Sequence, residues 1–351
     1  MPGAHPVSQS ERGQRYAVGF AGREFYRCAE MGQLPDRSEL ESAREIVYRA
    51  MPPTPQYAWP LLAERLGARV WLKHENHTPT GAFKVRGGLV YFDGLRARGE
   101  RPAGVVSATR GNHGQSVAFA ARAMGVPATI VVPHGNSREK NAAMRAFGAE
   151  LVEHGEDFQA AREHAQALAR ARGLLMVPSF HRDLIRGVAS YWLELMQSVP
   201  DLDEVYVPIG LGSGACGALA ARDALGLRTR VVGVASAHAR TYVLSLAAGR
   251  VVEAPVTTRL GDGMACRVAE ADALPILRQG LDRVVSVTDD EVAAAMRAIF
   301  VDTHNVAEGA GAAALAAALQ ERERIAGRRI GLALTGGNVD HDVFAQVLAG
   351  A

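Results

Sequence analysis

The sequence predicts an α/β protein of two lobes, each built on a mostly parallel sheet flanked by helices. Short apolar segments typical of strands alternate with longer segments typical of helices over most of the 351 residues. This alternation favours parallel sheets that are covered on both faces. Glycine-rich or polar motifs follow several of the apolar segments. Because open α/β sheets bind ligands beyond the carboxyl ends of their strands, we expect a binding cleft between the lobes.

A first series of strands and helices predicts a small domain over residues 104–180. Its strands are Gly104–Ser107, Ala128–Val132, Glu150–Glu153 and Leu174–Val177. Its helices are Asn112–Met124, Ser137–Phe147 and Glu156–Arg172. Each helix is long enough to connect two parallel strands across one face of a sheet.

The other strands predict a large domain formed by residues 46–103 and 181–351. They are Arg69–Lys73, Glu204–Ile209, Arg230–Ala235, Arg283–Val287 and Arg329–Leu334. Thr80 is a candidate cap for a helix that begins near Gly81. Residues 1–45 show only weak periodicity, so we expect an N-terminal arm with short helices there.

Composition narrows the range of partners. The chain has 39 basic and 37 acidic residues, a net charge of +2, so neither nucleic acid nor an anionic membrane is expected. No apolar run could span a bilayer, and the polar N-terminus does not resemble a secretory signal. Cys28, Cys216 and Cys266 are far apart, which favours neither disulfides nor a zinc site. We therefore expect a cytoplasmic protein without a metal centre.

The segment Thr78–Gly88 (TPTGAFKVRGG) contains the main candidate for a catalytic residue. Lys84 follows a loop of Thr, Pro and Gly near a predicted helix start, beside the ring of Phe83. The helix dipole and apolar neighbours both disfavour the ammonium form. A lysine with a lowered pKa can form an imine, because the neutral amine is the nucleophile. A lone lysine at a helix start is more often a surface residue, but the surrounding motif favours the reactive alternative.

The segment Ser107–Gln115 (SATRGNHGQ) lies between a predicted strand and a predicted helix. Backbone N–H groups and small hydroxyls in such a loop can hold a carboxylate. Asn112 offers a neutral donor that could bond a phenolic oxygen. A plain strand-to-helix turn with an Asn cap is the alternative interpretation.

The segment Gly210–Gly217 (GLGSGACG) follows an apolar strand and predicts a phosphate site. Its four glycines let the backbone approach an anion, and the next helix points its N-terminus at the same place. Its spacing also matches the GxGxxG pattern of dinucleotide sites. The next strand ends in Ser236–His238, which lacks the carboxylate that binds a ribose hydroxyl, and this counts against NAD.

The segment Thr335–Asn338 (TGGN) places a hydroxyl at the mouth of the predicted large sheet. A tight strand-to-helix turn would explain it equally well. Two acidic residues are weaker candidates. Glu308 lies at the start of a helix of small residues, and Asp262 lies in a turn. Local pattern favours a structural role over a catalytic role for both.

Together, these motifs resemble the fold-type II enzymes that depend on pyridoxal 5′-phosphate (PLP), and among them the threonine/serine dehydratases. The lysine motif, the GNHG loop, the glycine loop, the DG turn, the Glu helix and the TGGN turn stand in the family's order. The match covers roughly residues 50–345. The resemblance implies the two-lobed fold of the tryptophan synthase β subunit and PLP as cofactor. It also implies removal of the β-hydroxyl of an amino acid, with release of a 2-keto acid and ammonia.

The resemblance further implies a role for each matching residue. Lys84 would bond the cofactor and exchange the Cα proton, and Phe83 would pack against the cofactor ring. Asn112 would donate to the phenolic oxygen, and Thr335 would bond the pyridine nitrogen. The phosphate would lie on Gly210, Leu211, Gly212, Ser213 and Gly214. The substrate carboxylate would lie on Thr109, Arg110, Gly111, Asn112 and His113.

Three departures from the family pattern shape the prediction. Arg110 stands where racemases and many dehydratases carry a small Ser or Ala, so racemase activity is not expected, and we hypothesise that Arg110 binds substrate or shapes the pocket. The segment Ser236–Leu246 lacks the carboxylates that bind a divalent cation in related eukaryotic enzymes. The chain ends 13 residues after Asn338, so a regulatory domain and feedback by isoleucine are not expected.

The sequence leaves the substrate open. Threonine or serine is the default, and phenylserine, hydroxyaspartate or an intermediate of hydroxyectoine breakdown are alternatives. A β-replacement synthase on the same fold is the second hypothesis, and a non-catalytic protein that binds PLP or a dinucleotide is the third. The expected partner is a small amino acid, and assembly into a homo-oligomer such as a dimer stays open.

Overall fold

The computed structural model describes residues 34–350 and the short strand Ala17–Gly19. Most of the predicted N-terminal arm, and Cys28 with it, lies outside the described residues. Within the described part of the chain, two sheets and their flanking helices account for nearly all of the core.

The larger sheet has seven strands in the described residues. They are β1 (Ala17–Gly19), β2 (Gln56–Ala58), β3 (Arg69–His74), β8 (Glu204–Pro208), β9 (Arg230–Ser236), β10 (Arg283–Val287) and β11 (Arg329–Leu334). Their order across the sheet is β1-β10-β9-β8-β11-β3-β2. The five inner strands run parallel, and the two edge strands pair antiparallel with their neighbours.

The smaller sheet has four parallel strands, β4 (Val105–Ala108), β5 (Ala128–Val132), β6 (Glu150–Glu153) and β7 (Leu175–Met176). Their order across the sheet is β6-β5-β4-β7. All four lie within residues 104–180, the predicted small domain. The division of the chain into domains stays a prediction.

The described helices cover both faces of the sheets. They are α1 (Arg37–Tyr48), α2 (Pro60–Leu66), α3 (Lys84–Ala97), α4 (Asn112–Met124), α5 (Arg138–Ala146), α6 (Phe158–Arg172), α7 (Arg182–Ser198), α8 (Ser213–Ala224), α9 (Thr241–Ala248), α10 (Ala273–Gly280), α11 (Asp289–Thr303), α12 (Gly309–Gln320), α13 (Arg322–Ile325) and α14 (His341–Ala349). Helix α12 consists almost entirely of Gly, Ala and Leu and is buried over most of its length, because small side chains allow it to pack closely against β8 and α11. None of the described helices is long and apolar enough to cross a membrane.

The predicted α/β fold class is confirmed, and the predicted strands agree with the observed strands to within two residues. Continuous apolar runs such as β8 and β11 are buried on both faces, as expected for inner parallel strands. The carboxyl ends of β3, β4, β8 and β11 lead into the four motifs singled out in the sequence. This topology brings those motifs to one cleft.

The predicted helix start near Gly81, with Thr80 as its cap, is wrong. Helix α3 begins at Lys84 and has no side-chain cap. Gly81 has a φ of +67°, outside the helical range. Its carbonyl oxygen accepts the N–H of Gly337 at 2.9 Å, and the carbonyl oxygen of Thr80 accepts the Asn338 amide at 2.8 Å. These long-range hydrogen bonds hold the loop in a non-helical conformation that local sequence does not reveal.

Candidate active site

A cavity that opens to solvent lies beyond the carboxyl ends of β4, β8 and β11. All of the residues predicted to bind cofactor or substrate line it. They are Phe83, Lys84, Thr109, Arg110, Gly111, Asn112, His113, Gly210, Leu211, Gly212, Ser213, Gly214 and Thr335. The fold therefore gathers into one place four motifs that are separated by up to about 250 residues in the chain.

Lys84 is the first residue of α3, and its amine lies among apolar and hydroxyl groups. Its Nζ donates a hydrogen bond of 2.8 Å to Oγ of Ser213 and lies 4.8 Å from the centre of the Phe83 ring. No described carboxylate forms an ion pair with it. Burial lowers the pKa of Lys84 to about 8, because the ammonium loses its hydration. A substantial fraction of the neutral, nucleophilic amine is thus available near neutral pH.

The glycine loop between β8 and α8 requires glycine at two positions. Gly212 has a φ of +98°, a left-handed conformation that L side chains rarely adopt. A Cβ at Gly210 would lie only 2.2 Å from the carbonyl oxygen of Gly263. The first turn of α8, which begins at Ser213, leaves its backbone N–H groups available at the cavity. Loop and helix end together form a cradle suited to a phosphate.

Phe83 and Thr335 flank this cradle. A Cβ at Gly214 would lie 3.6 Å from Cε2 of Phe83, so the ring packs against the glycine loop. The backbone N–H of Phe83 donates to the carbonyl oxygen of Thr335 at 3.0 Å, which ties the lysine loop to the end of β11. The Thr335 hydroxyl donates only a long 3.5 Å hydrogen bond to the carbonyl oxygen of Ala310. It can exchange that weak bond for a better one with a ligand.

Asn112 begins α4, directly after Gly111. Its Nδ2 donates to Oε1 of Glu308 at 2.5 Å, and its Oδ1 accepts from Nδ2 of Asn338 at 2.9 Å. Asn338 thus fixes which way the amide points, with the donor directed into the cavity towards Glu308. The predicted donor is in place, and it is shared with a carboxylate that sequence analysis did not connect with it.

The loop before α4 is shaped by the hydroxyl of Thr109. Its Oγ1 accepts the backbone N–H of Gly111 at 2.9 Å and of Gly114 at 3.2 Å. Beside it, burial and the nearby charge of Lys84 lower the pKa of His113 to about 3, and its Nε2 has no partner among the described residues. The imidazole is therefore neutral at physiological pH and can bond a ligand in the cavity.

Four charged side chains line one side of the cavity, and we call Arg110, Lys140, Asp262 and Glu308 the cleft cluster. Nζ of Lys140 lies 3.0 Å from Glu308 and 3.5 Å from Asp262. Burial alone would lower the pKa of Lys140, but the two carboxylates outweigh it and raise that pKa. Lys140 is thus a stable ammonium and not a second candidate for imine formation.

Sequence analysis missed Lys140 and Cys266 as lining residues, and it favoured structural roles for Asp262 and Glu308. A lysine in the polar helix α5 gives no local signal of burial, because such residues usually face solvent. Cys266 faces the cavity, and burial raises the pKa of its thiol to about 11, so it is protonated at neutral pH. No group of three or more His, Cys, Asp and Glu side chains suited to a metal ion occurs among the described residues.

Comparison with known proteins gives the class of this site. Residues 47–336 match the model of the pyridoxal-phosphate dependent enzyme family. The chain belongs to that family, and the predicted family and PLP cofactor are confirmed.

The curated relatives narrow the class further. The chain is 37% identical over 287 residues to an L-threonine ammonia-lyase of Geobacter sulfurreducens, covering 82% of this chain and 71% of the relative. It is 32% identical over 301 residues to an L-threo-3-hydroxyaspartate ammonia-lyase of Pseudomonas sp, covering 85% and 93%. It spans only 59% of the biosynthetic L-threonine dehydratase of Pasteurella multocida that it also matches. These names agree with the predicted lyase class.

Solved structures support the same class. The structure of the processed form of threonine deaminase isoform 2 from Solanum lycopersicum superposes with a TM-score of 0.81 and 29% sequence identity, covering 91% of this chain and 95% of that chain. The fold is therefore that of a PLP-dependent enzyme, and the chain is related to ammonia-lyases.

Proposed function

We propose that the protein is a PLP-dependent ammonia-lyase that removes the β-hydroxyl of a hydroxy amino acid and releases a 2-keto acid and ammonia. The observation that carries the proposal is the environment of Lys84. Its amine faces the cavity, is bonded only to the Ser213 hydroxyl among the described residues, and has a pKa lowered to about 8.

The residues present fit the cofactor. The glycine loop from Gly210 to Gly214 would hold the phosphate, because its conformation leaves room for an anion above the start of α8. Phe83 would support one side of the ring. The Asn112 amide would serve the phenolic oxygen and the Thr335 hydroxyl the ring nitrogen, since both offer donors to the cavity.

Bound PLP supplies an electron sink that stabilises negative charge at the substrate Cα. Lys84 would act as the base that takes the Cα proton, because its amine is neutral for a large part of the time near pH 8. The hydroxyl of Thr335 cannot force a proton onto the ring nitrogen as a carboxylate would. This weaker electron withdrawal favours rapid loss of a β-substituent over transamination.

The substrate carboxylate would bind between the loop and the start of α4. The N–H groups of Asn112 and His113 belong to the first turn of that helix and have no intrahelical acceptor. The partial positive charge of the helix end favours an anion there. The neutral His113 imidazole would add a hydrogen bond without adding a charge.

The relatives' names supply threonine and 3-hydroxyaspartate as candidate substrates. We propose that this chain acts on an amino acid of that kind. We also propose a cytoplasmic location, supported by the unpaired thiols of Cys216 and Cys266. Assembly into a homo-oligomer is a proposal that sedimentation of the purified protein would test.

The proposal is tested by incubating PLP-loaded protein with serine, threonine, phenylserine and 3-hydroxyaspartate and measuring 2-keto acid and ammonia. Equal amounts of both products from at least one substrate, abolished in Lys84→Ala, would support it. A β-replacement synthase would instead form a thioether when a thiol is added, with no keto acid. The absence of both reactions with every substrate would contradict the proposal.

A further inference from the structure

The guanidinium of Arg110 has no hydrogen-bond partner among the described residues, although it lines the cavity. Its side chain is only 29% exposed, and its Nε is fully buried and unpaired. The nearest described carboxylate, Asp262, lies 3.9 Å from Nη2, beyond hydrogen-bond distance. A guanidinium carries five N–H donors, and buried donors are nearly always paired in folded proteins. The site therefore favours a ligand that brings oxygen acceptors to Arg110.

The acids of the cleft cluster are engaged by Lys140. Glu308 contacts Lys140 at 3.0 Å and also accepts from Asn112 at 2.5 Å. Asp262 contacts the same lysine at 3.5 Å. Lys140 and Glu308 are 6% and 5% exposed, so their pair is shielded from water, whereas Asp262 is 31% exposed. One ammonium balances only one of the two carboxylates, so Arg110, 3.9 Å from Asp262, completes the charge balance of the cluster. At that distance it forms no hydrogen bond with Asp262, and its N–H donors remain available to a ligand.

The α-carboxylate of an amino acid already has a binding place that does not need the Arg110 side chain. It would lie on the backbone N–H groups at the start of α4, beside Thr109 and His113. The amine and Cα would face Lys84. The group of the substrate that is left to meet a guanidinium in the same cavity is the side chain.

We propose that Arg110 determines substrate specificity by binding a carboxylate at the end of the substrate's side chain. This proposal rests on the lyase function proposed above and narrows it to β-hydroxy amino acids with an acidic side chain. The planar guanidinium matches a carboxylate through two parallel hydrogen bonds, which a methyl or phenyl side chain cannot form. Such substrates replace the missing acceptors, whereas threonine would leave the donors unpaired.

The first experiment measures binding without catalysis. Calorimetry of PLP-loaded protein compares succinate with butyrate, which have the same number of carbons but two and one carboxylates. Arg110→Ala should weaken succinate binding about 100-fold, as expected for a charged hydrogen-bonded pair, and leave butyrate within about threefold. Arg122→Ala, which removes an exposed arginine at the other end of α4, serves as the matched control and should change neither.

Equal weakening for both ligands, or no weakening for either, would overturn the proposal. Arg110→Lys should restore part of the succinate affinity but not all of it, because a lysine cannot form the paired hydrogen bonds. If Arg110→Lys recovers no succinate affinity and also loses butyrate binding, the substitution has disturbed the whole cavity. That result would contradict a role of Arg110 that is specific to the second carboxylate.

The second experiment measures kcat/KM for 3-hydroxyaspartate, threonine and phenylserine. The wild-type protein should prefer 3-hydroxyaspartate, and Arg110→Ala should lower its kcat/KM about 100-fold while changing that of threonine little. A wild-type preference for phenylserine would overturn the specificity proposal and leave the lyase function intact. A protein that converts no amino acid would contradict the lyase function, while the succinate measurement would still decide the role of Arg110.

Discussion

Lys73 and Lys84 lie eleven residues apart in the chain, but Lys73 is buried in the core and Lys84 lines the cavity. Lys73, on β3, donates three hydrogen bonds: 2.5 Å to Glu194, 2.6 Å to the carbonyl oxygen of Thr54 and 2.9 Å to Gln56. Lys84, on α3, donates one hydrogen bond of 2.8 Å to the hydroxyl of Ser213. Among the described residues, Lys73 has all three donors paired and Lys84 has two donors without a partner.

Burial lowers the pKa of both lysines, but Glu194 opposes that effect at Lys73. Arg86 and Glu75 extend the Lys73 site into a fully buried ionic cluster, with Arg86 2.7 Å from Glu75 and 2.6 Å from Glu194. Removing one partner of a fully paired buried charge destabilises a fold, because the other charge is left uncompensated. An incompletely paired charge with a shifted pKa in a cleft is a candidate for chemistry. The difference teaches that burial alone does not distinguish the two lysines, whereas the number of their hydrogen-bond partners does. We expect the lysine with fewer partners, Lys84, to be the reactive one.

The largest expected effect is that of Lys84→Ala. This variant should lose at least about 1000-fold in keto-acid formation, because it removes both the cofactor bond and the base. Its thermal unfolding without PLP should match the wild type, since only one hydrogen bond is lost. A variant that keeps a tenth of the activity would break the assignment of Lys84.

Lys73→Met should have the opposite effect to Lys84→Ala, because it should lower the stability of the protein and not its ability to bind PLP. Glu194 would keep Arg86 but lose its second cation inside the core, so the free energy of unfolding in urea should fall by about 3 kcal/mol. PLP binding should be retained. The double variant Lys73→Met/Glu194→Gln tests the reason, because it should recover part of the lost stability if the unpaired carboxylate is the cause. A stable but inactive Lys73→Met protein would contradict the comparison.

Sequence reasoning singled out Lys84, whose reactivity stays a prediction, but it did not single out Lys73. The motif around Lys84 is local, and its glycines and aromatic ring stand next to it in the chain. The Lys73 cluster joins residues from β3, α3 and α7. The sequence around Lys73 therefore does not indicate its partner Glu194, which is 121 positions away. The same limit explains the wrong start of α3, which is decided by hydrogen bonds from the distant TGGN turn.

The strands were predictable because inner parallel strands leave continuous apolar runs such as Glu204–Pro208 and Arg329–Leu334. The cleft cluster was not predictable as a unit, because Lys140 has an ordinary local context and meets Glu308 only in the folded chain. Arg110 was recognised as unusual, and its unpaired Nε became visible only with the surrounding contacts.

The reaction of the PLP-free protein with PLP should depend on pH through Lys84. Only the neutral amine attacks the aldehyde, and the pKa of Lys84 is lowered to about 8. Below that pH the rate should therefore rise about tenfold per pH unit, and above it the rate should level off. Free N-acetyl-lysine is the control, because its rate should keep rising until about pH 10.4. Levelling near pH 10 in the protein would show that Lys84 is an ordinary, hydrated lysine.

The smallest expected effect is that of Thr335→Val. Within the described part of the chain the hydroxyl makes a single hydrogen bond, of 3.5 Å, so the free energy of unfolding should change by less than about 1 kcal/mol. The variant should lower kcat about tenfold, because one hydrogen bond to the cofactor ring is lost. Thr335→Ser, which keeps the hydroxyl, is the matched control and should stay near the wild type. A large loss of stability in both variants would show that Thr335 has a structural role, as Lys73 does, and not a role in binding the cofactor.

The central question is which lysine bonds the cofactor, and the chain contains three lysines, Lys73, Lys84 and Lys140. Borohydride reduction of PLP-loaded protein, followed by mass spectrometry of its peptides, locates the bond directly. We expect the phosphopyridoxyl group on Lys84 alone. Its appearance on Lys73 or Lys140, whose donors are held by carboxylates, would contradict the central claim.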